Sequence, residues 1–114
     1  LRVPILLEVN VSSESSKHGF APDAVEPYLP ELARCRHVEM RGLMTMAALD
    51  GGADRARRDF AALRGLRDRL LKNCPEGIGL TELSMGMSGD YEVAIEEGAT
   101  IVRVGSALYE GLSR

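Results

Sequence analysis

Residues 84–111 read SMGMSGDYEVAIEEGATIVRVGSALYEG. Ser84 follows the apolar run IGLTEL (78–83), and Gly105-Ser106 follow the apolar run TIVRV (100–104). The stretch therefore reads as a strand end, a loop of small residues, a helix around Glu92 to Glu97, a second strand, and a Gly-Ser turn that opens a last helix. Two neighbouring strand ends then offer hydroxyls and free backbone N–H groups. The second pair sits at a helix start, where unsatisfied donors and the positive end of the macrodipole suit a phosphate. Arg103 is the only charge in TIVRV, two residues before the glycine. A buried strand seldom holds an unpaired charge, so Arg103 is expected to project into a polar site at the strand end.

Working outward, the same alternation recurs. Val3 to Val11 (VPILLEVNV) reads as a strand, and Ser12 to Pro22 as a polar loop. Asp23 is placed to cap a helix running through Tyr28, Leu29, Leu32 and Ala33. Val38 to Met46 reads as the second strand. Ala56, Phe60, Leu63, Leu66 and Leu70 recur every three or four residues and mark one face of a long helix. Asn73 to Gly77 break it. Gly79 to Leu83 and Thr100 to Val104 are the predicted third and fourth strands. Strand and helix in strict alternation imply βαβ units and a parallel sheet.

Four such units make half of an eight-unit (β/α)8 barrel of the TIM type, which typically needs about 250 residues. The reading is thus α/β, with residues 1–114 as the last four βα units of a barrel. Some hundred preceding residues (an order-of-magnitude figure from the same barrel length) are expected to lie outside this chain. Half a barrel would expose strand edges and an apolar inner face, so self-association or pairing with the other half is expected. A free-standing four-stranded, flavodoxin-like sheet is the competing architecture.

Composition narrows the function. The 114 residues carry 14 basic and 17 acidic side chains, a net charge of -3, and only 4% aromatic residues. No basic stripe is available to displace counterions from nucleic acid, and few rings are available to stack on bases. No apolar run approaches the roughly 20 residues of a membrane span. Cys35 and Cys74 lack CxxC spacing and read as reduced thiols of a cytoplasmic protein.

The segments LLEVNVSSESSKHGF (6–20), MRGLMTM (40–46) and ELSMGMSGDYEVAIEEGATIVRVGSALYEG (82–111) together carry a resemblance. The chain resembles the C-terminal half of the YggS/PROSC family of pyridoxal phosphate (PLP) homeostasis proteins. That family's barrel is similar to the N-terminal domain of alanine racemase. The resemblance implies a non-catalytic PLP carrier whose recipients include PLP-dependent apo-enzymes. It places the PLP phosphate against Ser84 and the Gly105-Ser106 turn, and Arg103 beside the pyridine nitrogen. The family usually has Thr at Ser106, Gly at Ser13 and Phe at Tyr91 and Tyr109, differences that leave this chemistry intact. Its covalent lysine belongs to the half not contained in this chain, and neither Lys17 nor Lys72 matches it. The alternatives are a PLP-dependent racemase or decarboxylase of the same barrel type, or a barrel enzyme acting on a phosphorylated metabolite.

Other residues carry blander readings. Ser88 and Asp90 read as helix caps. Met44, Met46, Met85 and Met87 read as core and site-wall fillers rather than metal ligands. His18 and His37 lack a partner at ligand spacing. Lys17 reads equally as solvated or as facing the mouth of the site. Gly51-Gly52 supply backbone freedom. The arginines from Arg55 to Arg69, alternating with Asp54, Asp59 and Asp68, read as a solvated helix face.

Overall fold

The predicted alternation is present in a computed structural model that describes residues 2–11, 19–46, 52–86 and 90–102. Strand β1 is Val3–Glu8, helix α1 Pro22–Ala33, strand β2 Val38–Met44, helix α2 Gly52–Leu70, strand β3 Glu82–Ser84 and helix α3 Tyr91–Glu96. A 3-10 turn, Leu71–Asn73, ends α2. The strands lie in the order β1-β2-β3 and both pairings are parallel. A fourth line begins where Ile101 forms a parallel bridge to Ser84. Its remainder, Arg103 and Val104, lies outside the described residues.

The core fills one face of this sheet. Leu7, Val9, Met40, Leu43 and Leu83 meet Val25, Leu29 and Leu32 of α1 and Ala56, Phe60, Leu63, Leu66 and Leu70 of α2. The helical spacing of those α2 residues is what turns one side of a 19-residue helix toward the strands. Among the described residues, the opposite sheet face borders a cavity rather than the core. That cavity, of about 500 Å3, is lined by Pro4, Ile5, Leu6, Arg41, Glu82, Thr100 and Ile101. That face was expected to be apolar; the observed lining mixes aliphatic residues with a cation and a carboxylate.

Several boundaries differ from the sequence reading, each for a local reason. Helix α1 begins at Pro22, with Ala21 rather than Asp23 at the cap position. Proline's fixed φ and missing N–H suit the first helical position, and Asp23 then sits in the first turn, where the macrodipole favours an acid. Strand β3 starts at Glu82, not Gly79. Gly79 N–H does bond Met40 O, at 2.9 Å, and Glu82 pairs with Gly42. Between those two points one strand advances three residues and the other two, so the ladder is interrupted. Arg41 is also the extra residue on β2 where the register against β1 slips between Ile5 and Leu6.

Beyond Glu8 the far edge of β1 is taken by Phe20, which bridges to Val9. Phe20 N–H donates to Glu8 O and Asn10 N–H donates to Phe20 O, both at 2.8 Å, while Val9 N–H still faces β2 through Met44 O. Phe20 is held in turn by Tyr28 of α1, with ring centroids 5.0 Å apart.

The α2 face is not uniformly solvated. Asp59 is buried, and Arg64 and Arg67 donate to the backbone carbonyls of Glu97 and Leu80, each at 3.2 Å. Arg57 bridges Glu96 and Glu97, and the hydrogen bonds it donates, to Glu96 first and Glu97 second, hold its pKa above the ordinary value. Arg64 also pairs with Glu97 at 3.2 Å. These ion pairs tie α3 to α2.

Cys35 is exposed, whereas Cys74 is partly buried and its thiol donates to Ile78 O at 3.5 Å. Burial raises the Cys74 pKa. The neutral thiol's contribution to stability is therefore complete below the ordinary thiol pKa, about 8.5, and fades as pH rises through the raised value. Alkylation timed by mass spectrometry at mildly alkaline pH should label Cys35 first, with Cys74 lagging. Equal rates in the folded chain would contradict this assignment.

Candidate functional site

The site is built from the C-terminal ends of the strands. Ser84 is the last residue of β3 and is only 4% exposed. Its carbonyl accepts from Thr45 N–H of the β2 end at 3.0 Å, and Met85 N–H donates to Ile101 O at 3.0 Å on the other side. The backbone of Ser84 is thus fixed from both flanks. Its hydroxyl is a different matter. Among the described residues no side chain or backbone group hydrogen-bonds it. A buried polar group left without a partner costs about 1–3 kcal/mol, which makes this hydroxyl a candidate binding group.

The neighbouring connections hold the strand ends at a common level. Thr100 takes part in the β3 ladder through its side chain, with Leu83 N–H donating to Thr100 Oγ1 at 2.8 Å while Thr100 N–H donates to Leu83 O at 2.9 Å. Gly86 follows β3 with φ +102°, and a Cβ there would stand 2.6 Å from Ala94 Cβ and 3.2 Å from Tyr91 Cα. Only glycine lets the turn take that backbone angle and lie against α3. Asp90 stands at the N-cap position of α3, as its capping reading required, although its side chain makes no capping hydrogen bond to the helix.

Of the residues singled out from the sequence, Ser84 stands where expected, and Ile101 lies directly beside it. Arg103, Gly105, Ser106, Lys17 and Ser88 lie outside the described residues. Lys72 is exposed in the 3-10 turn after α2, on the connection that leads into β3, away from the end that carries Ser84. Met85 is fully buried and Met44 partly so, in keeping with a packing role. Among the described residues there is no group of three or more His, Cys, Asp or Glu able to hold a metal ion, and no helix long and apolar enough to cross a membrane.

Sequence reasoning missed Thr45. It is 1% exposed, and its Oγ1 donates to Val9 O at 2.7 Å while its N–H holds Ser84 O. One residue thereby joins the ends of β1, β2 and β3. The available signal was a lone polar residue between two methionines at the end of an apolar strand.

Comparison with known proteins agrees with this arrangement. The family model described as the alanine racemase N-terminal domain matches residues 1–113. A pyridoxal phosphate homeostasis protein of Deinococcus radiodurans is 43% identical over 109 residues, 95% of this chain and 47% of that protein. Proteins of the same name from Aquifex aeolicus and Homo sapiens are 42% and 36% identical, over 92% and 95% of this chain and 45% and 40% of theirs. The structure of PipY from Synechococcus elongatus without PLP superposes with a TM-score of 0.83 at 37% identity, covering 90% of this chain and 47% of that one. PipY with PLP bound gives 0.79 at 36%, with the same coverage. The chain spans a little under half the length of these relatives, so its cavity-lined sheet face and parallel strands are those of a partial barrel rather than of a free-standing flavodoxin-like sheet. With the family match covering nearly every residue and the strand ends arranged as described, the chain belongs to the alanine racemase N-terminal domain family.

Proposed function

We propose that this chain supplies the phosphate-holding side of a PLP-binding barrel that carries the cofactor without using it in catalysis. The observation that carries the reading is the buried Ser84 hydroxyl, which finds no hydrogen-bond partner among the described residues. A phosphate oxygen at the C-terminal end of β3 would accept its proton. In this reading Gly105 and Ser106 add backbone and hydroxyl donors. Arg103 stands beside the pyridine nitrogen, where a guanidinium disfavours protonation. PLP, when bound, offers an electrophilic aldehyde, and an unprotonated ring is a poor electron sink, which suits storage over turnover. The relatives' shared name and the PLP-bound PipY structure support the same reading. The chain would work in the cytoplasm, with PLP-dependent apo-enzymes as recipients, and would pair through its cavity-lined sheet face with the rest of the barrel or with a second copy.

Two or three charge-assisted hydrogen bonds, at about 1.5–3 kcal/mol each, must offset a loss of ligand freedom of about 4 kcal/mol or more. The expected PLP affinity of this chain alone is therefore high-micromolar to millimolar, on the order of 4 kcal/mol. Ser84→Ala should weaken both PLP and inorganic phosphate about tenfold in equilibrium dialysis or NMR titration. Borohydride should fix no adduct at a single lysine. Equal phosphate affinity in the wild-type chain and Ser84→Ala, with both folded, would remove the site assignment. A stoichiometric adduct at Lys17 would overturn the assignment of the covalent lysine to the half outside this chain.

A further inference from the structure

We infer that Thr45, through its side-chain hydroxyl, is the positioning residue for Ser84; the inference rests on the phosphate reading of Ser84 given above. Thr45 is buried at the end of β2 and uses two groups in two directions. Its hydroxyl donates to Val9 O across β1 at 2.7 Å, a buried bond, and its N–H donates to Ser84 O across β3 at 3.0 Å. The two bonds share one residue, so the height of β3's last residue is referred to β1 through Thr45 as well as through the Glu8, Met44 and Ser84 pairing of the sheet.

The sheet alone would hold Ser84 less well. The β2–β3 ladder consists of three residue pairs, Gly42↔Glu82, Leu43↔Leu83 and Met44↔Ser84, below which the register is interrupted. Strand β2 also carries an extra residue against β1 at Arg41. Both irregularities lie below the site, so the strand ends are held by three residue pairs on each side of β2 and by the Thr45 bonds. If the Thr45 hydroxyl is lost, Val9 O is left without its side-chain donor in a region where Val9 itself is 1% exposed. Val9 O must then turn toward another donor, and Val9 N–H, bonded to Met44 O, draws the end of β2 and the Thr45 N–H with it. Ser84 is displaced through a carbonyl that is rigidly coupled to its own Cα. A binding group has to stay within about 0.5 Å of its productive position, so even a small shift weakens the bond to a phosphate oxygen.

The test compares wild type, Thr45→Val, Thr45→Ser, Ser84→Ala and the double variant Thr45→Val/Ser84→Ala in the full 114-residue chain. The probe is inorganic phosphate, titrated well below each variant's unfolding midpoint. Thr45→Val, nearly isosteric, should weaken phosphate about fivefold, and Thr45→Ser should restore it. In the Ser84→Ala background the valine substitution should cost nothing more, because the group it positions is gone. A general loss of stability would lower the unfolding midpoint without producing that coupling. The inference is overturned if Thr45→Val leaves phosphate affinity unchanged, or if its effect persists undiminished without the Ser84 hydroxyl. An inert Ser84→Ala would instead sink the underlying phosphate reading. Should Thr45→Val fail to fold, Thr45→Cys, with a weaker donor, takes its place. It supports the inference with an affinity between Thr45→Ser and Ser84→Ala, and overturns it with wild-type affinity.

Discussion

Replacing Gly42 by alanine is expected to abolish cooperative folding of this chain. A Cβ at that position would stand 1.8 Å from Glu82 O and 2.6 Å from Glu82 C. Those are backbone atoms of the neighbouring strand, and no rotamer change moves them out of the way. Strands β2 and β3 would have to separate where their three-pair ladder begins. Leu43 and Leu83, both fully buried on either side of that ladder, would lose packing. Each such side chain contributes about 1.5–3 kcal/mol, so the loss is about 3–6 kcal/mol. A domain of this size has about 5–15 kcal/mol in total. Thermal unfolding followed by circular dichroism should show a broad, weak transition in place of a sigmoid. Retention of the wild-type midpoint would mean that the close approach of β2 and β3 is not as described.

The second large effect is expected from closing the barrel. Joining this chain to the part of the Deinococcus radiodurans relative that it does not match should raise PLP affinity at least about 100-fold, or roughly 3 kcal/mol. The physical reason is the sheet face opposite the core. Its cavity, with Arg41 and Glu82 beside Pro4, Ile5, Leu6 and Ile101, is among the described residues a wall without an opposite wall. Covering it encloses the ligand and adds contacts on its second side, which supplies binding energy beyond the phosphate bonds. It should also suppress association, so light scattering should show a monodisperse joined protein and dimers or larger species for the present chain. Borohydride should now fix one adduct, on a lysine of the added part. A joined protein that unfolds cooperatively yet binds PLP no better than this chain would defeat the proposal.

Most of the architecture was legible because periodicity reports which face of an element is buried. The spacing of Phe60, Leu63, Leu66 and Leu70 dictated both the helix and its inward side. Apolar runs bounded by Gly, Pro and polar residues marked four strands in parallel order, of which three form the described sheet and the fourth begins at the Ile101 bridge. Ser84 was legible for the same reason, as the first polar residue beyond such a run. What escaped depends on contacts between segments distant in sequence. Nothing local distinguishes Gly42, where another backbone passes, from an ordinary strand glycine. Arg41 as an extra residue is visible only once two strands are laid side by side. Thr45 bridges positions 36 and 39 residues away, and Asp59 looks like any other charge on an arginine-rich helix until its burial is seen.

Phe20 has a consequence for uncontrolled polymerisation. Peptide groups alternate between the two edges of a strand, and on β1 the even-numbered residues face away from β2. Phe20 already occupies the Glu8 carbonyl and the Asn10 N–H on that side. What remains is Pro4, which has no N–H, Leu6, and the N–H of Glu8, because Phe20 takes only its carbonyl. An arriving strand from another molecule would meet two amides and two carbonyls between Pro4 and the Phe20 bridge. Such a short contact is a poor seed for a growing cross-β stack, which depends on an uninterrupted row of donors and acceptors. Phe20, bridged to Val9, thus closes the upper end of the outer edge of β1 and leaves only its lower part for another strand to join.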